Sequence, residues 1–390
     1  MTTSPAWSIV EYRGRAGLLQ LEAEWRRLYA AMPLRTSYHA FEAHLAYVDH
    51  LMAAPDELRC LALHDGRQMR AICPLEPKVD RTLGLPVPVW GMPAPPHLPL
   101  PDIVCPEDEA RRESIPALTA WMRRDHGGRR LLILGPLPAS SVLWDGLQRL
   151  DGGLSCTDTA GGMHVIDCAG SFDELFAGLS RNSRRMLKRA RKKLALLEDV
   201  RFVSAPGEAD LATELETFLD VEASGWKGAS GTRTAISLRG NQPDFFRSLL
   251  PTRNGKDHFE IDALYAEGRC IASQLCARTG SEYAGLKIGY DEHYSRFTPG
   301  QLLCERIIER CCQDPDIRRF NFLSEAAWHL AWRPDLIELQ RAYVALDPWF
   351  GRALIALLRL RFGPGRRFVR WTRNEWERRQ AERARSTPTP

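Results

Sequence analysis

One pattern occurs twice in this chain, and it constrains the fold more than any other feature. An apolar strand at 58–63, the turn Asp65-Gly66-Arg67 and a second strand at 69–79 form a hairpin. A second hairpin has strands at 260–265 and 270–278 around Glu267-Gly268-Arg269, 202 residues further on. An acidic residue followed by Gly between apolar runs is a strong hairpin signal, because such turns need positive φ. Helical patterns at 17–31 and 39–52 precede the first hairpin; patterns at 172–197 and 209–225 precede the second. Three matching turn residues arise easily by chance. The shared order of two helices and then a hairpin argues for duplication.

The copies diverge after their hairpins. In the first, residues 86–101 contain seven prolines. That density excludes regular structure there, and a helix at 107–124 and a strand at 130–134 follow. The second copy continues into an apolar strand at 283–288, the loop Tyr290-Asp291-Glu292-His293-Tyr294-Ser295-Arg296-Phe297-Thr298-Pro299-Gly300, and a helical pattern to Cys312. Pro299 fits a first helical turn, where its missing N–H costs nothing. Gly300 allows close approach to the backbone, and first-turn N–H groups with the helix dipole attract anions. The first copy is therefore expected to be a degenerate, structural half.

A length of 390 residues accommodates two domains. The ten cysteines are scattered, with no Cys-x-x-Cys and no Cys/His cluster of zinc spacing. Reduced buried thiols are expected, and no metal site. The first residues lack a signal-peptide pattern, and the longest apolar run near the C-terminus, 353–358, is far short of a membrane span. The net charge of +4 is unevenly spread: residues 349–390 carry eleven arginines against three glutamates.

The residues 179–190, Leu-Ser-Arg-Asn-Ser-Arg-Arg-Met-Leu-Lys-Arg-Ala, then Glu222-Ala223-Ser224-Gly225-Trp226-Lys227-Gly228, Gly289-Tyr290-Asp291-Glu292, Thr298-Pro299-Gly300-Gln301-Leu302-Leu303, Arg319-Phe320-Asn321-Phe322-Leu323 and Trp328-His329 follow in an order that resembles the GNAT acyltransferases. The nearer resemblance is to their tandem BioF2-like or CelD/BcsL group, distantly related to the FemAB aminoacyl-transferases. It covers roughly residues 6–346. It implies an α/β (α+β) fold of tandem GNAT-like domains, each a mixed, mostly antiparallel sheet flanked by helices. The divisions are 6–158 for the degenerate domain, 159–347 for the active domain and 348–390 for a basic amphipathic tail. The chain departs from the family twice. Pro299 stands where the pyrophosphate loop has its first glycine, and Trp328-His329 stands where the family tends to have Tyr-Lys.

The resemblance further implies acyl-CoA as co-substrate. Arg296, Pro299, Gly300, Gln301 and Leu302 would take its pyrophosphate. Strands 270–278 and 283–290 would splay, so that backbone N–H groups at Leu275 and Cys276 hold the thioester. Candidates for proton transfer are Asp291, Glu222 and His329. Glu222 lies one helical turn from Trp226, and a carboxylate beside an indole has a raised pKa. Each has a plainer reading as well: a cap for Asp291, a salt bridge for Glu222, a satisfied buried polar group for His329. Trp226, Lys227 and Lys287 are candidate acceptor contacts. Lys287 lies in an apolar strand, alternating with Leu286 and Ile288, so it faces the cleft side.

Residues 181–193 hold eight basic side chains and no acid, opposite an apolar stripe that includes Leu187, Ala190 and Leu194. Such a face is either solvated or bound to an anionic partner. The tail mixes Trp and Arg, as an anionic membrane surface requires; a helix packed on the body is the alternative. The expected activity is acyl-CoA-dependent N- or O-acylation of a lipid or cell-envelope precursor, such as a long-chain amine or a polysaccharide hydroxyl. The expected location is the cytoplasm, with peripheral contact on the inner membrane face. DNA is not an expected partner. Two alternatives stand beside it: a FemAB-like transferase that uses aminoacyl-tRNA, and a non-catalytic scaffold at the membrane surface.

Overall fold

A computed structural model describes residues 7–98, 100–150, 153–225 and 227–363. Its strands are β1 (Ser8–Arg13), β2 (Arg59–His64), β3 (Met69–Asp80), β4 (Val87–Gly91), β5 (Leu131–Pro138), β6 (Ser155–Asp167), β7 (Arg201–Ala205), β8 (Arg253–Asn254), β9 (Asp257–Ala266), β10 (Arg269–Thr279), β11 (Glu282–Tyr290), β12 (Arg319–Asn321) and β13 (Asp335–Ala345). They join one mixed sheet in the order β1-β2-β3-β4-β5-β13-β6-β12-β11-β10-β9-β7, with β8 paired to β9.

The order reads the same from both ends. From the β1 edge, three antiparallel pairings lead to β4, a parallel one to β5 and an antiparallel one to β13. From the β7 edge, three antiparallel pairings lead to β11 by way of β9 and β10 with the β8 branch aside, a parallel one to β12 and an antiparallel one to β6. The two halves are therefore closed by strands from opposite ends of the chain's second part. β6 completes the later sheet, β13 completes the earlier one, and the two pair with each other from Asp335↔Val165 to Val344↔Ser155. The expected division at 158/159 falls inside β6.

The hairpin turns form as their residues dictate. Glu267 and Gly268 both have positive φ, 53° and 72°, the geometry that suits the strand twist. In the earlier turn the Asp65 carboxylate accepts from the Arg67 and Gln68 N–H groups, and Gly66 takes φ 87°.

Three sequence expectations are corrected. The helix expected over 172–197 is two helices, Phe172–Gly178 and Arg181–Leu194. Ser171 and Glu174 form a capping box for the first, and the Ser180 hydroxyl accepts from the Ser183 N–H to start the second. Likewise 17–31 divides into Gly14–Gln20 and Glu22–Ala31. Prolines do not exclude β4. Pro88 is exposed within it, while its carbonyl still accepts from the Arg130 N–H.

The two halves share a core. Ala43 and Ala46 on helix Phe41–His50 pack in one cluster with Phe245, Phe246 and Leu249 on helix Gln242–Leu249. Leu98, from the proline-rich segment, is buried in the same cluster. Each such large side chain contributes roughly 1.5–3 kcal/mol when buried, so the contact is a core and not a hinge. Among the described residues no helix is long and apolar enough to cross a membrane. All ten cysteines are free.

Candidate active site

The sheet opens between β11 and β12. Their parallel pairing spans only Glu282–Ala284 against Arg319–Asn321, while β11 pairs with β10 out to Tyr290. Residues 285–290 of β11 thus present their outer edge to a gap. The loop after β11 turns through the 3-10 helix Glu292–Phe297 and starts helix Pro299–Gln313 at the mouth of that gap. A cavity of about 400 Å³ lies there, lined by Glu222, Lys227, Ile288, Tyr290, Thr298, Gly300 and Trp328 among others. That volume is within the usual range for a small-molecule site.

This placement corrects the expected splay between strands 270–278 and 283–290. Leu275 and Cys276 are fully buried inside β10, between Ile261 and Glu260 of β9 and Lys287 and Gly285 of β11. Flanked by strands on both sides, they lie away from the gap. Ile288 holds the corresponding position at the open edge. Its carbonyl accepts from Lys227 Nζ at 2.5 Å, so its N–H points to the same side.

Buried Glu222 and the half-buried Lys227, Lys287 and His97 converge behind the cavity. Helix Leu211–Ser224 crosses β11 so closely that a Cβ on Gly289 would lie 2.7 Å from Glu222 Cα. Glu222 is 1% exposed. Its Oε2 accepts from the Ile236 N–H at 2.8 Å, and its Oε1 lies 3.0 Å from Lys287 Nζ and 4.0 Å from Lys227 Nζ. Lys287 also donates to the Thr234 carbonyl at 2.9 Å and approaches His97 Nε2 at 3.3 Å. Burial lowers the Lys227 pKa to about 8; Glu222 opposes the shift and the Lys287 charge adds to it. Burial, then Lys287 and Lys227, lowers His97 to about 3, so its ring is neutral and accepts from the Lys287 ammonium.

A second, basic cavity adjoins the first through Thr298. Asn182, Arg185, Arg189 and Lys193 line it from helix Arg181–Leu194, facing Arg296 and Thr298, and no carboxylate lines it. Lys193 donates to the Arg296 carbonyl at 3.3 Å. Thr298 sits at φ 51°, an unusual conformation for a β-branched residue, and opens the helix at Pro299. The Gln301 and Leu302 N–H groups donate to the Thr298 carbonyl, and Gln301 Oε1 accepts from Trp332 Nε1. Leu302 is buried. Gly300 faces Ile288 and Tyr290 across the cavity.

The structure brings Glu222, Lys227, Lys287, Pro299, Gly300 and Gln301 together, with Arg296 at the neighbouring basic wall. Asp291 is a cap: its carboxylate accepts from the His293 N–H at 3.0 Å and lies 2.8 Å from the His293 ring. His329 is buried beneath Trp328, stacked on Phe322, with its Nδ1 facing the Ser324 carbonyl and the His164 ring. Burial, helped by His164, lowers its pKa to about 4. Trp226 lies outside the described residues. His97 was missed by the sequence reading because it sits among the prolines of the earlier half. No local signal marks it, and its partner is 190 residues away.

Residues 181–329 match the family model described as an acetyltransferase (GNAT) domain. The match begins with the basic helix and ends at the turn carrying Trp328 and His329, so it encloses most of the cavity. No curated protein sequence matches the chain. Several solved structures share its fold. FemX is 11% identical with a TM-score of 0.55, over 83% of this chain and 96% of its own. L-PGS from Bacillus licheniformis is 13% identical with a TM-score of 0.52, over 87% and 96%. The C-terminal domain of a putative lysylphosphatidylglycerol synthetase from Agrobacterium fabrum is 11% identical with a TM-score of 0.50, over 88% and 98%.

Proposed function

We propose that this chain transfers an acyl group from a coenzyme A thioester to an amine or hydroxyl on a lipid or cell-envelope precursor. The observation that carries the reading is the open edge of β11 facing the start of helix Pro299–Gln313, with Lys227 between them. A thioester in the cavity would set its carbonyl oxygen toward the Ile288 N–H. Its phosphates would meet the helix start at Gly300, since the Gln301 and Leu302 N–H groups already donate to Thr298, and the basic wall of Arg185, Arg189, Lys193 and Arg296.

Lys227 is the proton acceptor in this proposal. Glu222 has one oxygen held by a backbone N–H and the other by Lys287, which makes it a countercharge and not a base. A lysine held near pKa 8 supplies a neutral amine at mildly alkaline pH. The acceptor nitrogen or oxygen bonds to the carbonyl carbon, its proton passes to Lys227, and the C–S bond breaks. The departing thiolate then takes up the proton. The narrower BioF2-like or CelD/BcsL placement belongs to the same proposal, resting on Trp226-Lys227-Gly228 and Thr298-Pro299-Gly300.

The test is free-thiol release from a panel of acyl-CoA thioesters, with bacterial lipid extract or long-chain amines as acceptors. Release that depends on both acceptor and Lys227 supports the reading; absence of release with every thioester rejects it. One observation favours a second reading. The carboxylate-free basic cavity would also accept the phosphates of an RNA acceptor end, as an aminoacyl-tRNA-dependent transferase requires. Ribonuclease-sensitive transfer would select it.

A further inference from the structure

Helix Phe350–Phe362 is apolar on nearly every side, yet only one side is covered. Leu354, Ile355 and Leu358 pack under the sheet against Val89, Leu131, Tyr343 and Ala345. The opposite side recurs at helical spacing as Phe350, Ala353, Leu357 and Leu360, preceded by Trp349. Trp349 is 87% exposed, Phe350 57%, Leu357 51% and Leu360 60%. These are the largest apolar side chains that the end of the described chain presents to solvent. An apolar stripe of this length marks a contact surface.

The helix's own charges are of one sign. Arg352, Arg359 and Arg361 are the charged residues of the helix. At 3.6 residues per turn Arg361 falls on one border of the stripe, and Arg352 and Arg359 on the other, where Arg359 donates to the Ser155 carbonyl at 2.7 Å. Asp347, the nearest acid before it, is held by Arg130 and by the Trp349 and Phe350 N–H groups, so its charge is already matched. Beyond the helix, residues 364–390 add eight arginines and three glutamates.

We infer that this face docks the protein on an anionic lipid bilayer. The stripe would lie at the level of the acyl chains, and Arg361 with the arginines that follow the helix would meet the headgroup phosphates. Apolar area and cationic borders on one helix are the combination that interfacial binding needs. A second protein copy would bring like-charged borders together, which disfavours it as the occupant. The inference does not depend on which donor the cavity takes.

The experiment is vesicle co-sedimentation of the full chain, using phosphatidylcholine vesicles with and without about 30 mol% phosphatidylglycerol. Binding is expected on the anionic vesicles, with little on the neutral ones, weakening as salt rises from about 0.1 M to about 1 M. Leu357→Ser with Leu360→Ser, both more than half exposed, is expected to lower partitioning roughly tenfold while leaving thermal unfolding unchanged. Undiminished binding by that double variant would overturn the inference, because the residues after the helix would then be sufficient. Absence of wild-type binding to anionic vesicles would overturn it too, as would a wild-type dimer in solution that the double variant abolishes.

Discussion

Lys227 and Glu222 divide the labour of the cavity through their surroundings. Both are ionisable and close together, but Glu222 is held by the Ile236 N–H on Oε2 and paired by charge with Lys287 on Oε1, while Lys227 reaches the open edge of β11. Below pH 8 the buried Lys227 amine holds its proton and cannot accept another. The proposed transfer rate therefore rises with pH through about 8 and then levels. Lys227→Met is expected to lower kcat by about 10²–10³, the ordinary contribution of a general base. Lys227→Arg should not restore it, since a guanidinium keeps its proton. A rate that falls across the same pH range would exclude the role. Glu222→Gln leaves Lys287 buried without its countercharge and should destabilise the fold by roughly 3–5 kcal/mol, read by urea denaturation. Asp291 makes the opposite prediction. Asn also caps well, so Asp291→Asn should leave stability and rate near wild type, whereas a base at this position would lose its activity.

Elements built from local signals were legible in the sequence; those built from distant pairings were not. Pro299 and Gly300 announced a helix start because capping chemistry lies within a few residues, and the acidic-Gly turns announced both hairpins for the same reason. Lys287 was legible as a residue in need of a countercharge, since a lysine alternating with apolar neighbours requires one on its own side of the strand, but its partner Glu222 meets it behind the cavity and not in the cleft. The gap between β11 and β12 was invisible, because the length of a parallel pairing depends on where two separate strands diverge. Hence Leu275 and Cys276 were placed at an opening that lies one strand over. The crossing of β13 to the earlier sheet was equally hidden, since its alternation suits either sheet. The close crossing of helix Leu211–Ser224 over β11 offers a test at this scale. Gly289→Ala forces a methyl group against the Glu222 backbone. It should cost about 1–3 kcal/mol in chemical denaturation and displace the carboxylate from Lys287. An unperturbed variant would contradict the packing described.

At the scale of the whole molecule, the earlier half is more than a degenerate copy. Where the later half turns tightly from β11 into its helix, the earlier half sends its chain through the proline-rich segment before helix Asp108–Met122. That excursion buries Leu98 against the later half and sets His97 beside Lys287. Because β13, from the end of the described chain, closes the earlier sheet, the earlier half lacks its closing strand alone. Residues 1–154 expressed alone should be insoluble, with soluble protein recovered on co-expression with residues 155–390; an independently soluble 1–154 would contradict the borrowed strand. The central claim is that the cavity between β11 and helix Pro299–Gln313 takes the activated donor as a coenzyme A thioester. Calorimetric titration of the full chain with coenzyme A tests it directly. The account predicts saturable binding that Gly300→Trp abolishes, since that side chain would fill the space before Ile288 and Tyr290. No heat of binding at ligand concentrations up to about 1 mM, the upper end of ordinary substrate affinities, would contradict it.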